Sequence, residues 1–332
     1  MKKGRTIFQG LATGISALLI GPSFMALPAT SAAQLVSGLE GASGSAVGPD
    51  GAIYVAEGAA GRVTRVDPIT GETTPLITGL PASIIGIGGP SDVAFLDGEA
   101  YVLVSVVGDP LLGGGAVDGI YRVDGPDSFT VVADLGTYSA NHLPGPEIQI
   151  DLVNGVQYAL ETFRGGFLIT DGHHNRVLRA TLDGEVSEFK AFGNIVPTGL
   201  EVHGNTVYMA EAGAAPHNPE DGKVVSIDAR SGAVAEVASG ARLLVDVEFG
   251  LGRTLYALSQ GIWDGVAPGS PADRFTGSLV RVNADGSFAV IVTSLDIPTS
   301  LEFIGNTAYV VTLTGAVWAI PAVSGPPFGV AH

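Results

Sequence analysis

The chain has 332 residues, 33 of them acidic against 16 basic, for a net charge of −17, and it contains no cysteine. The missing thiols exclude disulfides, cysteine nucleophiles and cysteine-ligated zinc or iron–sulfur centres, and the negative balance argues against nucleic acid or anionic lipid as the main partner. Forty-eight glycines and 20 prolines point to many short strands joined by tight turns rather than to helices.

At the N-terminus, Lys2, Lys3 and Arg5 precede an apolar run from Ile7 to Ile20, followed by Pro22, Pro28 and the small residues Ala29 to Ala33. That order is the one found in secretory signal peptides. The run is interrupted by Gly10 and Gly14, and it falls short of the roughly 20 apolar residues that a bilayer core requires. Residues 1–33 are therefore expected to be cleaved before Gln34. This would leave a secreted or periplasmic chain with 13 basic against 33 acidic residues, a net charge of −20, and no later membrane span.

From Gln34 onward the sequence repeats. The segment GPDGAIYVAEGAAGRVTRVDPITGETTPLITGL, residues 48–80, holds a Pro-Asp-Gly turn and three apolar strands, Ala52 to Ala56, Val63 to Asp67 and Thr74 to Thr78. Its apolar-Tyr-apolar strand returns at Tyr101, Tyr208, Tyr256 and Tyr309, with Leu168 in the same place in the third copy. Tyr54 and Tyr309 lie 255 residues apart over five intervals, a mean of 51, which fits a four-stranded propeller blade. Before each such strand runs a short inner strand: SAV (45–47), DVAF (92–95), GLEV (199–202), DVEF (246–249), SLEF (300–303) and a less regular one near Gln157 to Glu161.

The last copy stops after its third strand, while Gln34 to Gly38 (QLVSG) precedes the first and reads like a fourth strand. An all-β, six-bladed propeller in one domain, 34–332, is the expected fold, with its ring closed by the N-terminal strand on the last blade.

Propeller topology places the starts of the inner strands and the ends of the Tyr strands on one rim. Glu57, Asp171 and Glu211 stand at equivalent Tyr-strand ends, and Asp92 and Asp246 at inner-strand starts. Such a set of oxygen ligands without thiols suits Ca²⁺ or Mg²⁺; the alternative is that these acids cap turns in water. TDGHHNRVLR, residues 170–179, adds His173 and His174, which could act as acid and base, or could simply occupy a tight turn. Four long excursions fall on the same rim, at 107–118, 137–150, 212–222 and 260–277. They carry His142, His217, Trp263 and Asp264 as candidate ligand-binding residues, and loops of that length commonly bind or cover ligands. No G-x-S-x-G elbow, P-loop or H-E-x-x-H motif is present.

The wording GPDGAIYVAEGAAGRVTRVDP (48–68) and VPTGLEVHGNTVYMAEAG (196–213), with the insertion before GKVVSID (222–228), resembles the ScyD/ScyE family of exported bacterial propellers. The likeness runs from about Gln34 to Pro321. NHL-repeat and SMP-30/gluconolactonase-like propellers share the same turn and strand wording. Some ScyD/ScyE members are encoded beside genes for the pigment scytonemin, but the family brings no settled activity. The resemblance implies an extracytoplasmic propeller that binds a small molecule, glycan or protein on its long-loop face. Likeness to the gluconolactonase-like group implies the alternative, a metal-dependent lactonase or related hydrolase. Its ligands would come from Glu57, Asp92, Asp171, Glu211 and Asp246, although Gly44 and Gly199 stand where side-chain ligands would be wanted.

Overall fold

The computed structural model describes Met1 and residues 32–265 and 269–324; the expected signal peptide falls almost wholly outside them. Twenty-four strands form six four-stranded antiparallel sheets arranged as a propeller ring. Blade 1 is β2 (Ala42–Val47), β3 (Ile53–Glu57), β4 (Arg62–Val66) and β5 (Thr73–Ile77). Blade 2 follows with β6 (Gly89–Leu96) to β9 (Ser128–Asp134), blade 3 with β10 (Gln157–Phe163) to β13 (Val186–Ala191), blade 4 with β14 (Pro197–His203) to β17 (Val234–Ser239), and blade 5 with β18 (Leu244–Phe249) to β21 (Phe288–Leu295). Blade 6 has β22 (Pro298–Ile304), β23 (Thr307–Thr312) and β24 (Ala316–Ile320), and its outer edge is covered by β1 (Ala33–Val36), which pairs antiparallel with β24. An edge strand supplied from the other end of the chain removes two rows of unpaired backbone groups.

Each blade's second strand is buried on both faces, because alternate side chains enter different inter-blade clefts. In β3, Ile53 and Val55 pack against blade 6 while Tyr54 packs against blade 2. Six apolar clusters result, one in each cleft between neighbouring blades. The recurring Tyr has a recurring partner: the next blade's inner-strand Phe meets it in Tyr54–Phe95, Tyr208–Phe249 and Tyr256–Phe303, with ring centroids 4.8, 5.1 and 4.9 Å apart. Pairs of this kind contribute about 0.5–1.5 kcal/mol beyond their burial.

Around the central channel every junction is also tied by a polar contact. Ser43 Oγ donates to Ser91 O (2.9 Å), Thr170 Oγ1 to Thr198 O (2.6 Å), Thr198 Oγ1 to Leu244 O (2.9 Å) and Thr299 Oγ1 to Ser43 O (3.0 Å). The remaining two junctions are bridged by Asp92 and Asp246, described below.

The excursion expected at 137–150 is not wholly irregular. It begins with a seven-residue helix, α1 (Leu135–Asn141), whose N-cap Asp134 accepts the Thr137 N–H at 2.8 Å, satisfying one of the first-turn donors. Among the described residues no helix is long and apolar enough to cross a membrane.

Candidate functional site

The inner strands β2, β6, β10, β14, β18 and β22 enclose a channel that opens on the long-loop face into a cavity of about 980 Å³. The loops that follow the second strands and those between blades build its mouth. They supply Ile87, Gln149, Asp151, His173, Asn194, His217, Gln260 and Trp263, while the inner strands supply the deeper wall.

That wall is acidic. Asp92, Glu161, Glu201, Asp246, Glu248 and Glu302 line it, and Asp151 joins them higher up; no lysine or arginine among the described residues does so. Glu161, Glu201, Glu248 and Glu302 occupy one register position in four consecutive blades, each directly opposite the Tyr position of the neighbouring strand: Leu168, Tyr208, Tyr256 and Tyr309. Removing these carboxyls from bulk water raises their pKa values, and their mutual repulsion adds to the effect. Burial pushes Glu161 up to about 8 and Asp246 up to about 7, and Asp92, Glu248 and Glu302 stand well above the ordinary carboxyl range. Glu201 is raised by burial, offset in part by its hydrogen bond with Glu248. Glu201, Glu248 and Glu302 lie within the strands GLEV, DVEF and SLEF and Glu161 ends the less regular inner strand, whereas the candidate metal ligands are the acids at strand starts and ends. The available signal was a Glu recurring two residues after the strand start in adjacent repeats.

Asp92 and Asp246 are brought to the channel, but as clamps. Asp92 accepts the N–H of its own neighbour Val93 and, through its other oxygen, that of Leu160 in blade 3, both at 2.8 Å. Asp246 accepts from Val247 at 2.8 Å and from Leu301 in blade 6 at 2.7 Å.

Gly44 and Gly199 make room for these side chains: a Cβ on Gly44 would lie 2.2 Å from Asp92 Oδ1, and one on Gly199 would lie 2.5 Å from Asp246 Cα. The glycines that stood where ligands would be wanted are thus required by the acids next door.

The other three proposed ligands lie away from the cavity wall. Glu57 is fully buried and held by Arg62, whose Nε and Nη2 each lie 2.7 Å from its oxygens, and by the Thr64 hydroxyl and the Glu40 N–H. Its pKa is lowered: burial alone would raise it, but the Arg62 and Thr64 hydrogen bonds outweigh that. Asp171 is equally buried, with Arg176 Nε and Ser139 Oγ both donating to Oδ2 at 3.1 Å. Glu211 is buried at the end of β15 (Thr206–Glu211) opposite Lys223, and its pKa is pushed up to about 7 by burial. Among the described residues no three His, Asp or Glu side chains are grouped to hold a metal ion.

The histidines separate in the same way. His174 is buried inside blade 3, where its Nε2 donates to Leu152 O at 3.1 Å and its Nδ1 accepts from Arg176 Nη2 at 3.1 Å. His142 ends α1 on the exterior, stacked on Tyr138 at 4.1 Å with its Nδ1 bonded to Tyr138 O. His173 reaches the cavity beside Tyr158, and burial lowers its pKa, which keeps it neutral near pH 7.

His217 also reaches the cavity. Its Nδ1 lies 2.8 Å from Gly213 O and 3.2 Å from Ala212 O, so the neutral ring carries its proton there and leaves Nε2 as an acceptor. Its ring packs edge-on against Trp263, centroids 5.5 Å apart, and the indole donates to Ser270 Oγ at 2.8 Å. Asp264 is exposed on the same loop and does not line the cavity.

No protein-family model matches the chain, and no curated protein does so. Solved structures match over almost its whole length. A gluconolactonase from Xanthomonas campestris shares 13% identity at a TM-score of 0.60, covering 87% of this chain and 89% of that one. A virginiamycin B lyase from Staphylococcus aureus shares 14% at 0.54 over 88% and 98%, and a PQQ-bound aldose sugar dehydrogenase from Streptomyces coelicolor 15% at 0.55 over 89% and 99%. The likeness is one of fold. The structural neighbours are SMP-30/gluconolactonase-like and other β-propellers, and at these identities activity belongs to each scaffold's own residues.

Proposed function

We propose that the chain is an exported, ScyD/ScyE-like propeller whose mature form binds a small molecule at the mouth of its central channel, on the long-loop face. The observation that carries this reading is the cavity itself: about 980 Å³, with Trp263, Tyr158 and Ile87 near the opening and hydrogen-bonding groups from Gln149, His173, Asn194, His217 and Gln260 around it. That combination of aromatic surface with a few convergent polar groups is the usual make-up of a small-molecule site. The opposite face offers only short turns such as the one at Gly51, where φ is +76°.

The test is a thermal-shift and tryptophan-fluorescence screen of small metabolites and free glycans against purified mature protein. Binding that is lost in Trp263→Ala supports the reading; hits that are unaffected by that change place the site elsewhere. Export is tested by N-terminal sequencing of secreted material, where a chain beginning at Gln34 is expected and an intact Met1 would count against it.

A second reading is hydrolysis or lyase chemistry in the same cavity, favoured by the acceptor Nε2 of His217 and the neutral His173 on its wall. The solved propellers of similar fold include a gluconolactonase and a virginiamycin B lyase. A divalent cation is not required for histidine to serve as general base. Turnover of an ester or lactone that is abolished by His217→Ala and retained in EDTA would favour this reading over simple binding.

A further inference from the structure

The acidic wall and the aromatic mouth belong to one cavity, and their combination narrows what it accepts. A ligand with an anionic group would face seven carboxyl groups, from Asp92, Asp151, Glu161, Glu201, Asp246, Glu248 and Glu302, with no described lysine or arginine to receive it. A bare metal ion is poorly served, because no three of the described acids and histidines converge on one point. The space is sized for a whole organic molecule.

Two features at different depths point to an occupant with donors at one end. Deep in the channel, Glu302 faces the cavity and receives no hydrogen bond from any described residue, unlike Asp92 and Asp246, whose oxygens are used by backbone N–H groups. Nearer the mouth, His217 offers Nε2 as an acceptor with its other nitrogen committed to carbonyls. Glu302 and His217 are half-buried on the cavity wall, so these acceptors are open to a ligand that brings donors, and a positive charge supplies donors and ionises the carboxyls in a single step.

Resting on the small-molecule reading above, we propose that the ligand is an organic cation, an ammonium compound with an apolar or aromatic body. Its charged group is held among Glu201, Glu248 and Glu302, and its body lies against Trp263, Tyr158 and Ile87 at the mouth. Charge selectivity comes from the channel, and affinity for the body comes from packing against the aromatic face.

The experiment uses three probes of one shape, 2-phenylethylammonium, 2-phenylethanol and phenylacetate. Each is titrated at pH 8 into mature protein carrying Trp318→Phe, so that Trp263 is the only tryptophan reporter. The ammonium is expected to bind at least tenfold more tightly than the alcohol, and the carboxylate not to bind. Glu302→Gln and Glu248→Gln should each weaken the ammonium about tenfold and leave the alcohol unchanged, with a thermal midpoint no lower than that of the parent. Equal binding of ammonium and alcohol overturns the cation assignment and leaves the cavity reading standing. No effect of any probe on Trp263 overturns both. Stoichiometric Ca²⁺ binding that Glu302→Gln removes, without preference for the ammonium over the alcohol, overturns the organic cation in favour of a metal ion.

Discussion

Asp92 and Asp246 perform the same task three blades apart: each carboxyl crosses to the next blade and accepts the N–H of the inner-strand leucine there, Leu160 at 2.8 Å and Leu301 at 2.7 Å. Each also lies over a glycine of the preceding blade, Gly44 or Gly199. The ring therefore has two like halves, blades 1–3 and 4–6, each organised as glycine, aspartate and clamped leucine.

Removing one clamp should loosen one junction. Asp246→Ala leaves the Leu301 N–H unmatched in a half-buried wall, which costs roughly 1–3 kcal/mol. The expected result is a lower urea midpoint with an unchanged slope, accompanied by faster amide exchange confined to β18 and β22. Uniformly faster exchange would show that the contact is not local.

The glycine partner gives an independent check. Gly199→Ala puts a methyl group 2.5 Å from the Asp246 backbone, and overpacking of this sort costs about 1–3 kcal/mol. A variant as stable as the parent would mean that blades 4 and 5 can separate freely, against the close packing described.

Stability should depend on pH with a definite sign. The carboxyls of Asp92, Glu161, Glu201, Asp246, Glu248 and Glu302 are raised in the folded state by burial. The folded protein thus holds protons that the unfolded chain has already released above about pH 4–5. Stability from these groups is fully present below that range and is lost as pH climbs through about 7 to 8. Glu57, whose pKa is lowered, acts oppositely and loses its contribution as pH falls below the ordinary glutamate range. The thermal midpoint of ligand-free protein should therefore peak near pH 5 and decline by pH 8, with a shallower decline in Glu302→Gln. A midpoint that rises from pH 5 to 8 would sink this account.

Blade 3 rests on a buried ion pair. Arg176 binds Asp171 through Nε (3.1 Å), Ser139 Oγ through Nη2 (3.0 Å) and His142 O through Nη1 (2.5 Å), joining α1 to the blade. Arg176→Ala strands the Asp171 carboxylate, and breaking such pairs costs about 3–5 kcal/mol. Protection of α1 against hydrogen exchange should fall first, and Asp171→Asn combined with Arg176→Met should recover part of the loss.

The number of blades, their boundaries and the Tyr strand were legible from the sequence because each repeat must bury the same strand on both faces, leaving one apolar pattern six times over. His217 and Trp263 were legible as loop residues on the long-loop rim, since propeller connectivity assigns every loop to a face. The destination of individual acids was not legible. Glu57 and Asp171 stand at equivalent strand ends and look like ligands in one dimension, yet each is met by an arginine five residues on that folds back across the strand pair. Glu161, Glu201, Glu248 and Glu302 come from four separate blades, and only closing the ring sets them on one wall. Local strand pattern is carried by neighbours along the chain, so the sequence alone determines it; the chemistry of the channel arises from residues roughly 50 positions apart, and only the tertiary structure decides which of them meet.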